Sequence, residues 1–183
     1  MPPDAPCGDP SASPANTCSA PWIAAKPSAA LSAPLNAVAM ALPPKVQRSG
    51  PRRGTAAWHR WLRAGAFVHN FAPWHWFVTL TFRFQDVSWS TARGRLRSWL
   101  DALAREAGGH LTVAFTIEGH QSGAPHVHAL VSFPEDASRP TTARGDELWR
   151  KFGAARVRVF SSDAGGAWYV AKKEGGSDLT YGC

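Results

Sequence analysis

His126 and His128 are separated by a single residue in APHVHALVSF (residues 124–133), a stretch with the alternating apolar pattern of a β-strand. Successive strand residues point to opposite faces, so both imidazoles share one face while Val127, Ala129, Val131 and Phe133 take the other. Glu118 closes the preceding apolar run, HLTVAFTIEG, and a short connection joins the two. Two imidazoles and a carboxylate suit a divalent cation, with His120 a competing third donor. Further on, AWYVAKK sets Tyr169, Lys172 and Lys173 at i, i+3 and i+4, one face of a helix. A phenol beside a metal ion can attack a phosphodiester, because the cation polarises the phosphoryl oxygens. A neighbouring lysine lowers the phenol's pKa or holds the phosphate. Each group also has a plainer reading: hydrogen-bonded histidines, a solvated carboxylate, a packed tyrosine with solvated lysines.

The elements that must position these groups follow from hydrophobic period. RRGTAAWHRWLRAGAFVHN predicts a helix over about residues 55–68, with Trp58, Trp61 and Leu62 able to dock on the domain. WHWFVTLTFRF predicts a strand. SWSTARGRLRSWLDALAREAGG predicts an amphipathic helix with Ser88 or Ser90 as N-cap, Leu96, Leu100 and Leu103 as its stripe, and Gly108 near its stop. HLTVAFTIEG and PHVHALVSF predict a hairpin. GDELWRKFG predicts a short helix, AARVRVF a fourth strand, and GGAWYVAKKEGG a final helix. The order predicts an α+β fold with a mainly antiparallel sheet. One sheet face collects Val78, Leu80 and Phe82, then Val113, Phe115 and Ile117, then Val127, Ala129 and Val131. The other collects Thr79, Thr81, Thr116, Glu118, His126 and His128.

Charge points the same way. Of 183 residues, 20 are Lys or Arg and 13 Asp or Glu, a formal net of +7. Residues 1–50 contribute +1 of this and residues 51–183 the remaining +6, so polyanion binding belongs to the second part. Ten of the 15 prolines fall within residues 1–50, among Ala and Ser. That segment is expected to be disordered, with the domain over residues 51–183. The three cysteines, Cys7, Cys18 and Cys183, form no CxxC pair, which argues against a zinc ribbon or a disulfide scaffold. No secretory leader and no run near the roughly 20 apolar residues of a membrane span is found, so a cytoplasmic protein without membrane association is expected.

Taken in order, FVTLTF, then PHVHALV with Glu118 upstream, then WYVAKK after LWRKFGAARVRV, resemble the rolling-circle replication initiators of the HUH endonuclease superfamily. The resemblance spans about residues 74–175. It implies an RNA-recognition-motif-like layout, a central antiparallel sheet of about five strands flanked by helices. It implies that His126, His128 and Glu118 hold Mg²⁺ or Mn²⁺, the carboxylate being the least secure transfer because members differ in their third ligand. Tyr169 would attack a phosphate of single-stranded DNA, forming a 5′-phosphotyrosine link and freeing a 3′-OH, with Lys172 as the motif lysine. Lys173 stands where two-tyrosine members carry a second tyrosine, so the resemblance is to the one-tyrosine type. Implied partners are single-stranded DNA or an origin hairpin, with a host helicase and polymerase; oligomeric state is left open. Arg83, Arg93, Arg95, Arg97, Arg156, Arg158 and Lys173 are candidates to neutralise phosphates. Some of the nine tryptophans can stack unpaired bases, although Trp99 and Trp149 sit at apolar helical positions. Three rivals stay open: a non-catalytic single-stranded nucleic-acid-binding module, a metal-dependent hydrolase in which activated water attacks, and a degenerate, inactive relative.

Overall fold

The computed structural model describes residues 50–119, 124–172 and 180–182. The expected disorder of residues 1–50 therefore lies, Gly50 apart, outside the described residues, as do His120, Lys173 and the three cysteines.

Three helices begin behind hydroxyl residues. Thr55, Ser88 and Thr141 accept from the backbone N–H of Trp58, Thr91 and Arg144 at 3.1, 3.2 and 3.2 Å. Each side chain satisfies a donor the helix itself leaves unpaired. They open α1 (Ala56–Phe71), α2 (Trp89–Ala107) and α3 (Thr142–Trp149). Gly108, at φ 74°, stops α2 in the left-handed region, and Gly109 N–H reaches back to the Ala104 carbonyl at 3.1 Å.

The strands β1 (Trp76–Thr81), β2 (Thr112–Gly119), β3 (Pro125–Ser132) and β4 (Ala155–Val159) pair antiparallel in the order β4-β1-β3-β2. A three-residue piece, β5 (Thr180–Gly182), lies along the free side of β2. The α+β class and the flanking helices are as the sequence predicts. Of the about five strands expected, four run five to eight residues and the last is that three-residue edge segment. After a 3₁₀ turn (Ser162–Ala164) comes α4 (Gly166–Val170), far shorter than GGAWYVAKKEGG suggests. Its end is set by Lys172, whose N–H bonds the Tyr169 carbonyl three residues back at 3.2 Å and so tightens the last turn.

Both faces of the sheet are covered. Val78, Leu80, Val113, Phe115, Ile117, Val127, Ala129 and Val131 pack with Leu96, Trp99, Leu103 and Trp149 from α2 and α3. Trp99 and Trp149, 1% and 0% exposed, are core as expected, and their indole N–H groups donate to the Gly145 and Thr81 carbonyls at 2.9 Å each. On the other face, Ala114 and Leu130 pack with Trp61, Leu62, Val68, Trp168 and Val170, from α1 and α4. That second core covers only part of its face.

Where β1 ends, the chain at residues 152–154 runs against it: Thr81 N–H donates to Ala154 O at 2.8 Å and Arg83 N–H to Phe152 O at 2.9 Å. A Cβ on Gly153 would collide with the Thr81 carbonyl and with the Phe82–Arg83 backbone, none of which has a flexible end. Gly153→Ala is therefore expected to lower the unfolding free energy in urea by about 1–3 kcal/mol. Gly94→Ala, on an exposed turn of α2 with open space at its Cβ, is expected to raise it by about 0.5–1 kcal/mol. Equal midpoints for the two variants would refute this account of the β1 terminus.

Candidate functional site

The pairing register aligns the polar residues of three strands into two rows. Thr81, His126 and Glu118 are mutual partners across β1, β3 and β2; one step along, Thr79, His128 and Thr116 form the next row. Directly paired residues of antiparallel strands project to the same side. The third row, Phe77, Leu130 and Ala114, is apolar and lies under α1 and α4. The site thus opens where the second core stops.

The Tyr169 ring meets His128 edge-on, with centroids 4.5 Å apart and planes at 69°. Phe77 backs both rings: it stacks parallel to His128 at 6.2 Å and takes Tyr169 edge-on at 6.1 Å. Lys172 lies beyond the end of α4, not on its face as a longer helix would have put it, yet its Nζ sits 5.3 Å from the Tyr169 ring centroid. His126 and His128 stand nearly parallel, 6.5 Å apart. Thr79 Oγ1 hydrogen-bonds His128 Nδ1 at 3.1 Å, which leaves Nε2 as the nitrogen open to a ligand.

The electrostatics favour uncharged rings. Burial, helped by His126 and the Lys172 ammonium, pulls the His128 pKa down to about 4, so the imidazole is neutral near pH 7 with its lone pair available. Burial, then the charge of Glu118, pushes the Tyr169 phenol above its usual range. Glu118 itself is half-buried, with Oε1 shielded from solvent and without a hydrogen-bond partner among the described residues. A buried carboxylate oxygen in that condition calls for a cation or a donor. The donor set therefore fits a hard or borderline divalent ion: a neutral imidazole, a second imidazole beside it and an unsatisfied carboxylate. It is not drawn together as a cage. Among the described residues no group of three His, Cys, Asp or Glu is arranged to hold a metal ion.

The arginines divide between the two sides. Arg156 and Arg158 are exposed on β4 in the rows of Thr79 and Phe77, and so border the site. Arg83 follows β1 and donates to the Arg150 carbonyl at 3.3 Å. Arg95 lies on α2, on the other side of the sheet, with its guanidinium 5.8 Å from the Phe82 ring centroid and 5.7 Å from that of Phe152. Of the tryptophans, Trp74 and Trp76 are buried and Trp89 is 46% exposed. Sequence reasoning missed Phe77 and the covering of the site face. The signal was present: Phe77, Ala114 and Leu130 share the parity of the polar residues but are apolar.

A family model, replication-associated protein ORF2/G2P, matches residues 75–174, more than half of the chain. No curated protein and no solved structure matches.

The depressed His128 pKa has a consequence for stability. Between about 4 and its ordinary 6.5, the unfolded chain takes a proton at this residue that the folded chain resists. Stability should therefore fall as pH drops through that window, by up to about 3 kcal/mol, and be unaffected by His128 at neutral pH. Urea unfolding across the window should show the slope, and His128→Gln should flatten it. An unchanged slope in His128→Gln would assign the titration to another group.

Proposed function

The chain belongs to the family of replication-associated proteins ORF2/G2P, and from that membership we propose that it initiates replication by nicking single-stranded DNA, with Tyr169 as the nucleophile. The observation that carries the reading is the convergence of three groups on one phenol: the His128 ring 4.5 Å away, the Lys172 ammonium 5.3 Å away, and a Glu118 charge close enough to raise its pKa.

The reaction is of the HUH type with one tyrosine. Tyr169 Oη attacks a backbone phosphorus, the bond to the 3′ oxygen breaks, and the products are a 5′-phosphotyrosine and a 3′-OH. The phenol loses its proton in this step and the departing oxygen gains one. The Lys172 ammonium faces the ring and compensates the phenolate charge as it develops. His126, His128 and Glu118 would hold Mg²⁺ or Mn²⁺, an ion that polarises the phosphoryl oxygens and offsets the carboxylate charge that otherwise opposes phenol ionisation. Thr79 holds the His128 ring at Nδ1, so that Nε2 is the nitrogen that would be offered to the ion. Arg156 and Arg158, exposed on β4 beside the site, would neutralise phosphates of the bound strand. The substrate is single-stranded DNA or an origin hairpin, handed on to a host helicase and polymerase in the cytoplasm. No helix among the described residues is long and apolar enough to cross a membrane.

Incubation with end-labelled single-stranded oligonucleotides and Mn²⁺ should give a protease-sensitive adduct on a denaturing gel. Tyr169→Phe should reduce it by roughly a thousandfold or more. Cleavage that survives Tyr169→Phe but is lost in His126→Ala would replace this reading with a water-using hydrolase. Binding without cleavage would replace it with a binding module.

The metal set has its own test. Titration with Mn²⁺ by calorimetry should show one site on the wild-type chain, weakened about tenfold or more by Glu118→Gln and by His128→Ala alike. Equal Mn²⁺ affinity in wild type and both variants would remove these residues from the ligand set.

A further inference from the structure

A five-residue helix cannot hold its own position. Most of its backbone groups lie within one turn of an end and lack intrahelical partners. In α4 the Trp168 carbonyl would ordinarily accept from Lys172 N–H, four residues on. That N–H goes instead to the Tyr169 carbonyl. The Trp168 carbonyl is served from α1: Trp61 Nε1 donates to it at 2.8 Å in a buried setting. One turn further along α1, the Trp168 indole lies directly over Gly65, where any Cβ would collide with indole Cγ, Cδ1 and Nε1. A turn beyond that, the His69 ring packs against the same indole at 5.3 Å. Trp61, Gly65 and His69 are thus successive i, i+4 neighbours on one face of α1, and all three engage the residue that precedes Tyr169. All of them precede the residues 75–174 that match the family.

We infer that Trp61 and Gly65 are positioning residues for Tyr169: acting through Trp168, they hold α4 in the short, early-turning form that places the phenol on His128 and Lys172 on the phenol. The indole N–H of Trp61 substitutes for the missing helical donor, which frees Lys172 N–H to turn back one residue early. Gly65 lets α1 approach closely enough for that bond to form. The inference rests on the reading of Tyr169 as nucleophile.

The test uses the full-length chain carrying Tyr181→Phe, with fluorotyrosine incorporated so that one fluorine resonance reports the Tyr169 ring. Trp61→Phe keeps an aromatic ring but removes the N–H donor. Its expected effect is a shift of the Tyr169 resonance towards its unfolded-chain position. Adduct formation should fall about ten- to a hundredfold, while affinity for the oligonucleotide stays within about twofold, as for a loss confined to the reacting geometry. Gly65→Ala should act in the same direction, and adding Trp168→Phe to it should recover part of the loss by making room. A Trp61→Phe chain with wild-type circular dichroism, resonance and adduct rate would overturn the inference. If the wild type forms no adduct but Trp61→Phe still moves the resonance, positioning stands and the nicking reading fails.

Discussion

A slip of one residue between β3 and its neighbours would turn His126 and His128 into the core and bring Val127 and Ala129 out into the site. The register prevents it. Val127, Ala129 and Val131 are sealed on one face with α2 and α3, and Leu130 is sealed on the other with α1 and α4. Because β3 lies between β1 and β2, a slip would break two ladders and two cores at once. The contacts among the strand residues of the site descend from this constraint: the pairing of His126 with Glu118, of His128 with Thr79 and Thr116, and the seat of Phe77 behind the His128 ring.

The same burial that fixes the register sets the chemistry. Desolvation disfavours whichever protonation state carries charge, so it lowers the proton affinity of His128 and raises that of Tyr169. Both groups are therefore neutral at physiological pH, and the charges near them belong to Glu118 and Lys172. Glu118 opposes ionisation of the phenol, whereas the Lys172 ammonium lies 5.3 Å from the ring it would stabilise as a phenolate. A phenol in this setting is a poor nucleophile until a positive charge offsets the carboxylate. For the proposed nicking reaction, that gives the cation a task beyond binding phosphate.

Much of this was legible in the sequence because strand parity is a two-state code. Once His126 faced one way, Val127 had to face the other, and Thr79, Thr81, Thr116 and Glu118 followed by the same alternation. The caps at Ser88 and Gly108 were readable because their side-chain and backbone chemistry is local. The length of α4 was not. Its early end depends on an indole more than a hundred residues away in sequence, which no periodicity can register. From the sequence Trp61 reads as a residue that docks on the domain, and its hydrogen bond to the Trp168 carbonyl exists only once α1 has folded over the sheet. The shortness of the edge strand was hidden for a related reason: edge pairing such as that of β5 is decided by tertiary contact, not by pattern.

The two halves of the site are held by different kinds of force. His126, His128 and Glu118 are placed by backbone ladders on adjacent strands, where a side chain's position follows from register alone. Tyr169 is placed by side-chain packing of α1 on α4, where position follows from the shape of an indole and the absence of a Cβ at Gly65. Ladders are cooperative and resist single substitutions, whereas a packed indole transmits a change of a single methyl group directly. Substitutions at Trp61 and Gly65 should therefore reach the nucleophile first, through Trp168 and the five-residue helix, whereas the histidines stay held by the ladders on either side of β3.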